Sequence, residues 1–310
     1  MGARVQRTVL AVPGSSDRFL AKARSVPADA VFLDLEDAVA PAAKAAARER
    51  IVRALAEDWA VPLVTVRVND WSTPWTHTDV IEVVGRAGAS VDALVLPKVQ
   101  RAEHVVALDL LLTQVERTAG LEVGRIGIEA QIEDARGLLA AGAIGGASPR
   151  MRSLVFGPGD FMASVGMQST KVGEQPSGYD LGDAYHHVLF SILVAARAHD
   201  LAAIDGPWVA IRDLAGFRRA AARSAALGYD GKWVLHPDQI EAGNEIYTPR
   251  QEDFDRSLRM IEAYAAATAS GGGAVGAIVV DEEMVDEAGM KVAQRIVAQG
   301  RAAGLQPGRG

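Results

Sequence analysis

Strand-like and helix-like segments alternate eight times along this chain, and that alternation limits the fold more than any other feature of the sequence. Eight short apolar runs stop at polar or turn residues: 8–13, 30–36, 63–69, 93–98, 125–133, 153–160, 202–207 and 232–237. Amphipathic segments rich in Ala and Arg lie between them, among them 17–26, 42–56, 102–117, 134–147, 183–199 and 214–227. Parallel strands need crossover helices, so this order predicts a (β/α)8 TIM barrel, an α/β fold that a chain of 310 residues can accommodate. A doubly wound open sheet is the competing architecture. It requires a Gly-rich first turn before a helix, which Pro13-Gly-Ser-Ser16 imitates only weakly.

The pattern divides the chain into a barrel domain, 1–248, and a C-terminal helical extension or lid, 249–310. In the extension, 249–268 and 281–300 are expected to be helices, with Ser270-Gly-Gly-Gly273 as a hinge between them. Gly271, Gly273 and Gly276 satisfy G-x-G-x-x-G by spacing, but they follow a helix instead of a strand, so the hinge is the better reading.

Composition narrows the function. A net charge of −7 argues against a nucleic-acid or anionic-membrane surface. The absence of cysteine excludes disulfides, thiol catalysis and cysteine-ligated metals. No run is apolar enough to span a bilayer and the N-terminus lacks a signal-like core, which makes a cytoplasmic location the expectation.

In a barrel of this type the chemistry sits at the carboxyl ends of the strands. Here those ends carry Ser15, Ser16, Asp34, Glu36, Asp37, Arg67, Asn69, Lys98, Glu133, Asp160, Asp205 and His236. Glu133 and Asp160 end adjacent parallel runs and should face one another. Two facing carboxylates repel unless one is protonated or a cation lies between them, and hard oxygen donors suit Mg²⁺. Two ordinary salt-bridged strand-end acids fit that pattern equally well. Arg67 offers a forked donor for a carboxylate or a developing oxyanion, or a salt bridge to Glu36 or Asp37. Arg18, Lys22, Lys44 and Arg48 could meet a phosphate, although each alone fits a solvated helix residue. His186 and His187 fall within a helix pattern and suit a structural role. Trp71 and Trp75 suit a rim cover, a stacking surface or an interface. No Ser-His-acid or Lys Schiff-base set is apparent, which leaves metal-assisted enolate chemistry as the best reading.

Seven stretches in order resemble the citrate lyase β-subunit and malyl-CoA lyase family, within the HpcH/HpaI aldolase–citrate lyase superfamily. They are Arg7-Thr-Val-Leu-Ala-Val-Pro-Gly-Ser15, Phe32-Leu-Asp-Leu-Glu-Asp-Ala-Val39, Val66-Arg-Val-Asn69, Leu96-Pro-Lys-Val99, Ile132-Glu-Asp-Ala-Arg-Gly137, Phe156-Gly-Pro-Gly-Asp-Phe161 and Gly231-Lys-Trp-Val-Leu-His-Pro237. The resemblance implies a barrel in trimers or hexamers, with a C-terminal lid packed on a neighbouring subunit. By residue, it makes Glu133 and Asp160 the Mg²⁺ ligands (with Mn²⁺ as an alternative metal), Arg67 the oxyanion-stabilising arginine, and Glu36 and Asp37 acids lining the pocket. Glu283-Met-Val-Asp286 resembles the lid motif, so Asp286 becomes the acid or base reaching a neighbour's site. Phe19, Lys22 and Lys44 fall, more loosely, where the family contacts coenzyme A. Asp134 stands where many relatives carry a small hydroxyl residue, and Gly-Pro-Gly-Asp160 replaces the Gly-Gly-Glu-Asp of some.

The activity so implied is reversible Claisen-type cleavage of a 3-hydroxyacyl-CoA to glyoxylate, pyruvate or oxaloacetate and an acyl-CoA. The 231–237 run and long tail look more like malyl-CoA or β-methylmalyl-CoA lyase than a citrate lyase subunit, which would need an acyl-carrier partner. A malate-synthase-like variant that also hydrolyses the thioester, a CoA-independent Mg²⁺ aldolase acting on 2-keto acids, and a non-catalytic CoA-binding protein remain the alternatives.

Overall fold

The computed structural model describes residues 5–270 and 276–308. The chain resolves into two compact units, residues 6–247 and the C-terminal unit from Thr248, to which Val5 also belongs.

The first unit is a closed barrel of eight parallel strands in sequence order. Its elements are β1 (Thr8–Pro13), α1 (Asp17–Ala23), β2 (Ala30–Asp34), α2 (Lys44–Leu55), β3 (Leu63–Arg67), α3 (Thr76–Ala87), β4 (Ala93–Leu96), α4 (Ala102–Thr118), β5 (Gly127–Ile132), α5 (Ala135–Gly145), β6 (Met151–Phe156), α6 (Pro158–Ser164), α7 (His186–Arg197), β7 (Ala202–Asp205), α8 (Leu214–Leu227), β8 (Gly231–Val234) and α9 (Asp238–Ile246). β8 closes on β1 with Val9 opposite Trp233. Every strand is shorter than or equal to its apolar run; Asp34, Arg67 and Asp205 close their strands within the ladder, while Glu36, Asn69, Lys98, Glu133, Asp160 and His236 lie beyond it.

Successive side chains of a strand point to opposite faces, and here the two faces have separate cores. Val31, Leu33, Val64, Val66, Leu94 and Leu154 point outward into the layer between strands and helices. Val9, Phe32, Leu63, Val95, Val155, Ile204 and Trp233 fill the lumen. The same period carries polar groups inward at the upper ends: Asp34 follows Phe32 by two, Arg67 follows Thr65, and Glu133 follows Gln131.

The opposite, N-terminal end of the barrel is tied by ions. Glu116 accepts from the amides of Gly124 and Ile126, both at 2.9 Å, and from Arg150 at 2.7 Å. Arg150 also reaches Asp109 at 2.5 Å.

In the second unit α10 (Gln251–Ser270) and α11 (Glu287–Ala302) pack together, and β9 (Ala277–Val280) pairs antiparallel with β10 (Glu283–Asp286). A helix starting at Asp281 was the expectation, and the structure corrects it. Asp281 and Glu282 take left-handed backbone, φ 49° and 66°, giving the two-residue turn whose twist matches a hairpin. The helix begins only at Glu287, where Asp286 caps it by accepting from the Gly289 amide at 3.0 Å. Of the expected hinge, residues 271–275 lie outside the described residues. Among the described residues no helix is long and apolar enough to cross a membrane.

Candidate active site

The site is built from the upper ends of β2, β3, β4, β5 and β6. Arg67, the last residue of β3, enters the lumen above Phe32 and Trp233, whose rings are 4.1 Å apart and lie 5.3 and 5.5 Å from its guanidinium carbon. Asp34, opposite it on β2, accepts from Nε and Nη2, both at 2.7 Å. Glu36 stands 3.2 Å from Nη1. Asp34 is itself fixed by the amides of Glu36 (2.8 Å) and Ala38 (3.1 Å). Burial opposes the charge on Arg67, but Asp34 and Glu36 more than offset it and hold it protonated.

Lys98 follows β4 with φ 51°, a left-handed backbone unusual for a side chain with a Cβ. That conformation turns its amide toward Glu133, which accepts at 2.6 Å. Its ammonium pairs with Glu36 and lies 3.5 Å from Asp37 and 3.6 Å from Asp160. Burial alone would lower its pKa, yet the hydrogen bond it donates to Glu36 raises it. Burial pushes the Glu36 carboxyl up to about 6, while Arg67 and Lys98 pull it back. Burial also raises Asp37, but bonds from Glu36 and Lys98 leave it below its ordinary value.

Glu133 is buried at 3% exposure and accepts from two neutral donors, the Lys98 amide and Gln131 Nε2 at 2.5 Å. Burial pushes its pKa well above the usual carboxylate range, Lys98 draws it down, and Asp160 and Glu36 add to the rise. Asp160 lies in the first turn of α6, past the end of β6, with its side chain 45% exposed. The turn between them requires Gly157, because a Cβ there would stand 2.5 Å from Glu133 Cβ.

These residues fit a divalent cation. A buried carboxylate held by neutral donors, with two further carboxylates raising its pKa, is short of positive charge. Among the described residues no group of three or more His, Asp or Glu gathers as a complete cage. Two carboxylates with the remaining positions open to water or substrate are what Mg²⁺ ordinarily accepts.

The structure thus brings Glu36, Asp37, Arg67, Glu133 and Asp160 to one rim. It treats the coenzyme A candidates differently. Phe19 and Lys22 are exposed on α1, with Arg18 over the Phe19 ring at 4.9 Å. Lys44 departs from expectation: its buried ammonium donates to the carbonyls of Leu35 and Glu36, both at 2.7 Å, and lies 5.3 Å from the Trp75 ring. It braces the loop after β2. Arg48 is likewise committed, to Asp79 and Glu82 at 3.0 Å each. Asp286 is exposed in the second unit as the cap of α11. Sequence reasoning placed Asp34 and Lys98 at the rim without assigning them a task; their position as the residues that end or follow strands was the available signal.

A closed eight-stranded barrel with acids, Arg67 and a carboxylate pair at its upper rim suits a lyase of the aldolase and citrate lyase type. The chain belongs to the HpcH/HpaI aldolase/citrate lyase family, whose model matches residues 7–237, and it is a carbon–carbon lyase. It is 38% identical over 306 residues to an L-malyl-CoA/beta-methylmalyl-CoA lyase of Cereibacter sphaeroides, covering 96% of this chain and 95% of that one. It is 32% identical to the citrate lyase subunit beta of Escherichia coli, covering 98% and 96%. Among solved structures, CitE of Mycobacterium tuberculosis in complex with magnesium, acetoacetate and coenzyme A is 28% identical, with a TM-score of 0.72 over 96% of this chain and 98% of that one.

Proposed function

We propose that this protein is a Mg²⁺-dependent acyl-CoA lyase that reversibly cleaves a 3-hydroxyacyl-CoA, such as L-malyl-CoA or β-methylmalyl-CoA, to glyoxylate and acetyl-CoA or propionyl-CoA. The observation that carries this reading is Glu133, a buried carboxylate bonded to the Lys98 amide and Gln131 and, among the described residues, in no ion pair within 4 Å, with Asp160 close enough to raise its pKa. The malyl-CoA lyase relatives and the magnesium and coenzyme A in the CitE complex support the substrate class and the metal.

Glu133 and Asp160 would hold the Mg²⁺. When bound, the ion supplies Lewis-acid polarisation of substrate oxygen and a fixed point for the small acid. Arg67, held between Asp34 and its aromatic floor, would offer its remaining N–H donors to the oxygen on which charge develops. In cleavage the substrate hydroxyl gives its proton to a carboxylate of the rim, the C–C bond breaks, its electron pair passes into the thioester as the enolate, and the aldehyde so formed leaves as glyoxylate. Glu36 and Asp37 line the pocket. Residues 249–310 would act as a lid in a trimer or hexamer, in which Asp286 of an adjacent subunit protonates the enolate carbon. Phe19 and Lys22 are the exposed candidates for coenzyme A contact.

The test is mass spectrometry of acyl-CoAs after incubation with Mg²⁺, glyoxylate and acetyl-CoA or propionyl-CoA. Malyl-CoA or β-methylmalyl-CoA, lost on adding EDTA, is the expected result, and no condensation product from either would overturn it. A relative named (3S)-malyl-CoA thioesterase, 33% identical over 96% of this chain, gives the alternative an observation of its own. Free coenzyme A with malate would identify that reaction.

A further inference from the structure

Five carboxylates meet at the rim: Asp34, Glu36, Asp37, Glu133 and Asp160. Two cations answer them, and their allegiances differ. Arg67 is held by Asp34 and Glu36. Lys98 pairs with Glu36 and is nearest next to Asp37 and Asp160. Glu133, in contrast, accepts from the Lys98 amide and the Gln131 side chain and forms no ion pair within 4 Å among the described residues. The left-handed backbone at Lys98, φ 51°, makes this division. It presents the amide to Glu133 while the side chain goes to Glu36. Strained backbone of this kind persists where the surroundings enforce it, commonly at functional sites.

We propose that Lys98 is a positioning residue that sorts the acid cluster: its ammonium engages Glu36 closely and Asp37 and Asp160 only at 3.5 and 3.6 Å, so that a divalent ion is directed to Glu133 and draws Asp160 from that looser contact. The proposal rests on the metal-dependent reading above. It assigns Lys98 two separable tasks. The ammonium keeps Glu36 from serving as a metal ligand, and the amide orients Glu133.

Without the ammonium, Asp37 is freed, Glu36 keeps only its ion pair with Arg67, and the rim loses a positive charge a few ångströms from the metal. Divalent-ion binding should therefore become tighter while turnover falls, because the ion gains a ligand set that no longer leaves the productive positions open. A merely structural lysine would weaken both.

The experiment is a titration of the full-length protein with Mn²⁺, read by electron paramagnetic resonance of the free ion, on wild type, Lys98→Met and Lys98→Gly. Lys98→Met removes the ammonium; Lys98→Gly removes it while relieving the left-handed backbone, so a folding defect confined to Met is separated from the charge effect. Tenfold or greater tightening of Mn²⁺, or a second bound ion, is expected in both, on the order of the effect of one nearby charge. In parallel, kcat should fall by about tenfold or more with KM for the acyl-CoA less affected. Unchanged or weaker Mn²⁺ binding in Lys98→Gly would overturn the proposal. Since Mn²⁺ binding needs no substrate, that outcome is distinct from failure of the proposed reaction, which the wild-type product assay reports alone.

Discussion

Both oxygens of Asp34 grip Arg67, one on Nε and one on Nη2, each at 2.7 Å, while Glu36 lies 3.2 Å from Nη1. Planar bidentate pairing fixes a guanidinium in orientation as well as position. Two of the five N–H donors of Arg67 are thereby bonded to Asp34, Nη1 faces Glu36, and the guanidinium is held in one orientation.

Asp34→Asn keeps the shape of the side chain but loses one acceptor and the charge. We expect kcat to fall by about 10²-fold with a smaller change in KM, the pattern of an interaction that matters mainly in the transition state. Arg67→Lys should lose at least as much, since an ammonium cannot satisfy Asp34 and a substrate oxygen with the same planar geometry. Steady-state kinetics check both, and wild-type kcat in Arg67→Lys would remove the arginine from the reaction.

At Gly157 a methyl group would sit 2.5 Å from Glu133 Cβ and 2.6 Å from Oε2. The strand end cannot yield without moving Glu133, so Gly157→Ala should destabilise the fold by about 1–3 kcal/mol. It should also raise the Mg²⁺ concentration needed for half-maximal rate. Thermal denaturation and metal titration read the two effects independently.

Lys232 and Asp205 form a buried pair at 2.6 Å, each side chain 3% exposed. Lys232→Met leaves Asp205 charged without a cation, and a loss of about 3–5 kcal/mol is expected. The double variant Lys232→Met/Asp205→Leu should recover part of it, because no unpaired charge then remains. Denaturant melts of the two singles and the double close the cycle.

Stability should fall in acid through the far end of the barrel. Hydrogen bonds from Arg150 and from the amides of Ile126 and Gly124 outweigh burial and lower the pKa of Glu116 below its ordinary 4.5. A carboxylate with a lowered folded pKa stabilises above its unfolded value and loses that contribution as pH falls through the folded value. The window is thus below about pH 4.5. Glu116→Gln should be less stable than wild type at pH 7 and show a shallower decline below pH 4.5, as followed by thermal melts.

The barrel was legible because alternation at period two and the intervening helices repeat eight times, and no local exception can mask that. The rim acids and Arg67 were legible for a related reason: each ends or follows an apolar run. Conformation and partner choice were not. Nothing in Leu96-Pro-Lys-Val99 announces a left-handed lysine, whose amide meets Glu133 only once β4 and β5 lie side by side. Lys44 looked like a solvated helix residue because only the folded loop reveals that two carbonyls converge on its ammonium. The hairpin escaped because Asp281-Glu282 lacks the Asn-Gly signature of its turn, and the following helix pattern extended the helical expectation backward.

That hairpin has a kinetic consequence. A two-stranded ribbon with few ladder bonds is marginal on its own in water, and Val279 and Met284 leave much of their apolar surface uncovered, at 74% and 75% exposure. The amides of 277–286 should therefore exchange with solvent deuterium through local opening, far ahead of those in the barrel strands. Any surface that covers Val279 and Met284 would slow that exchange, so deuterium uptake here reports such contact without a label or a substrate.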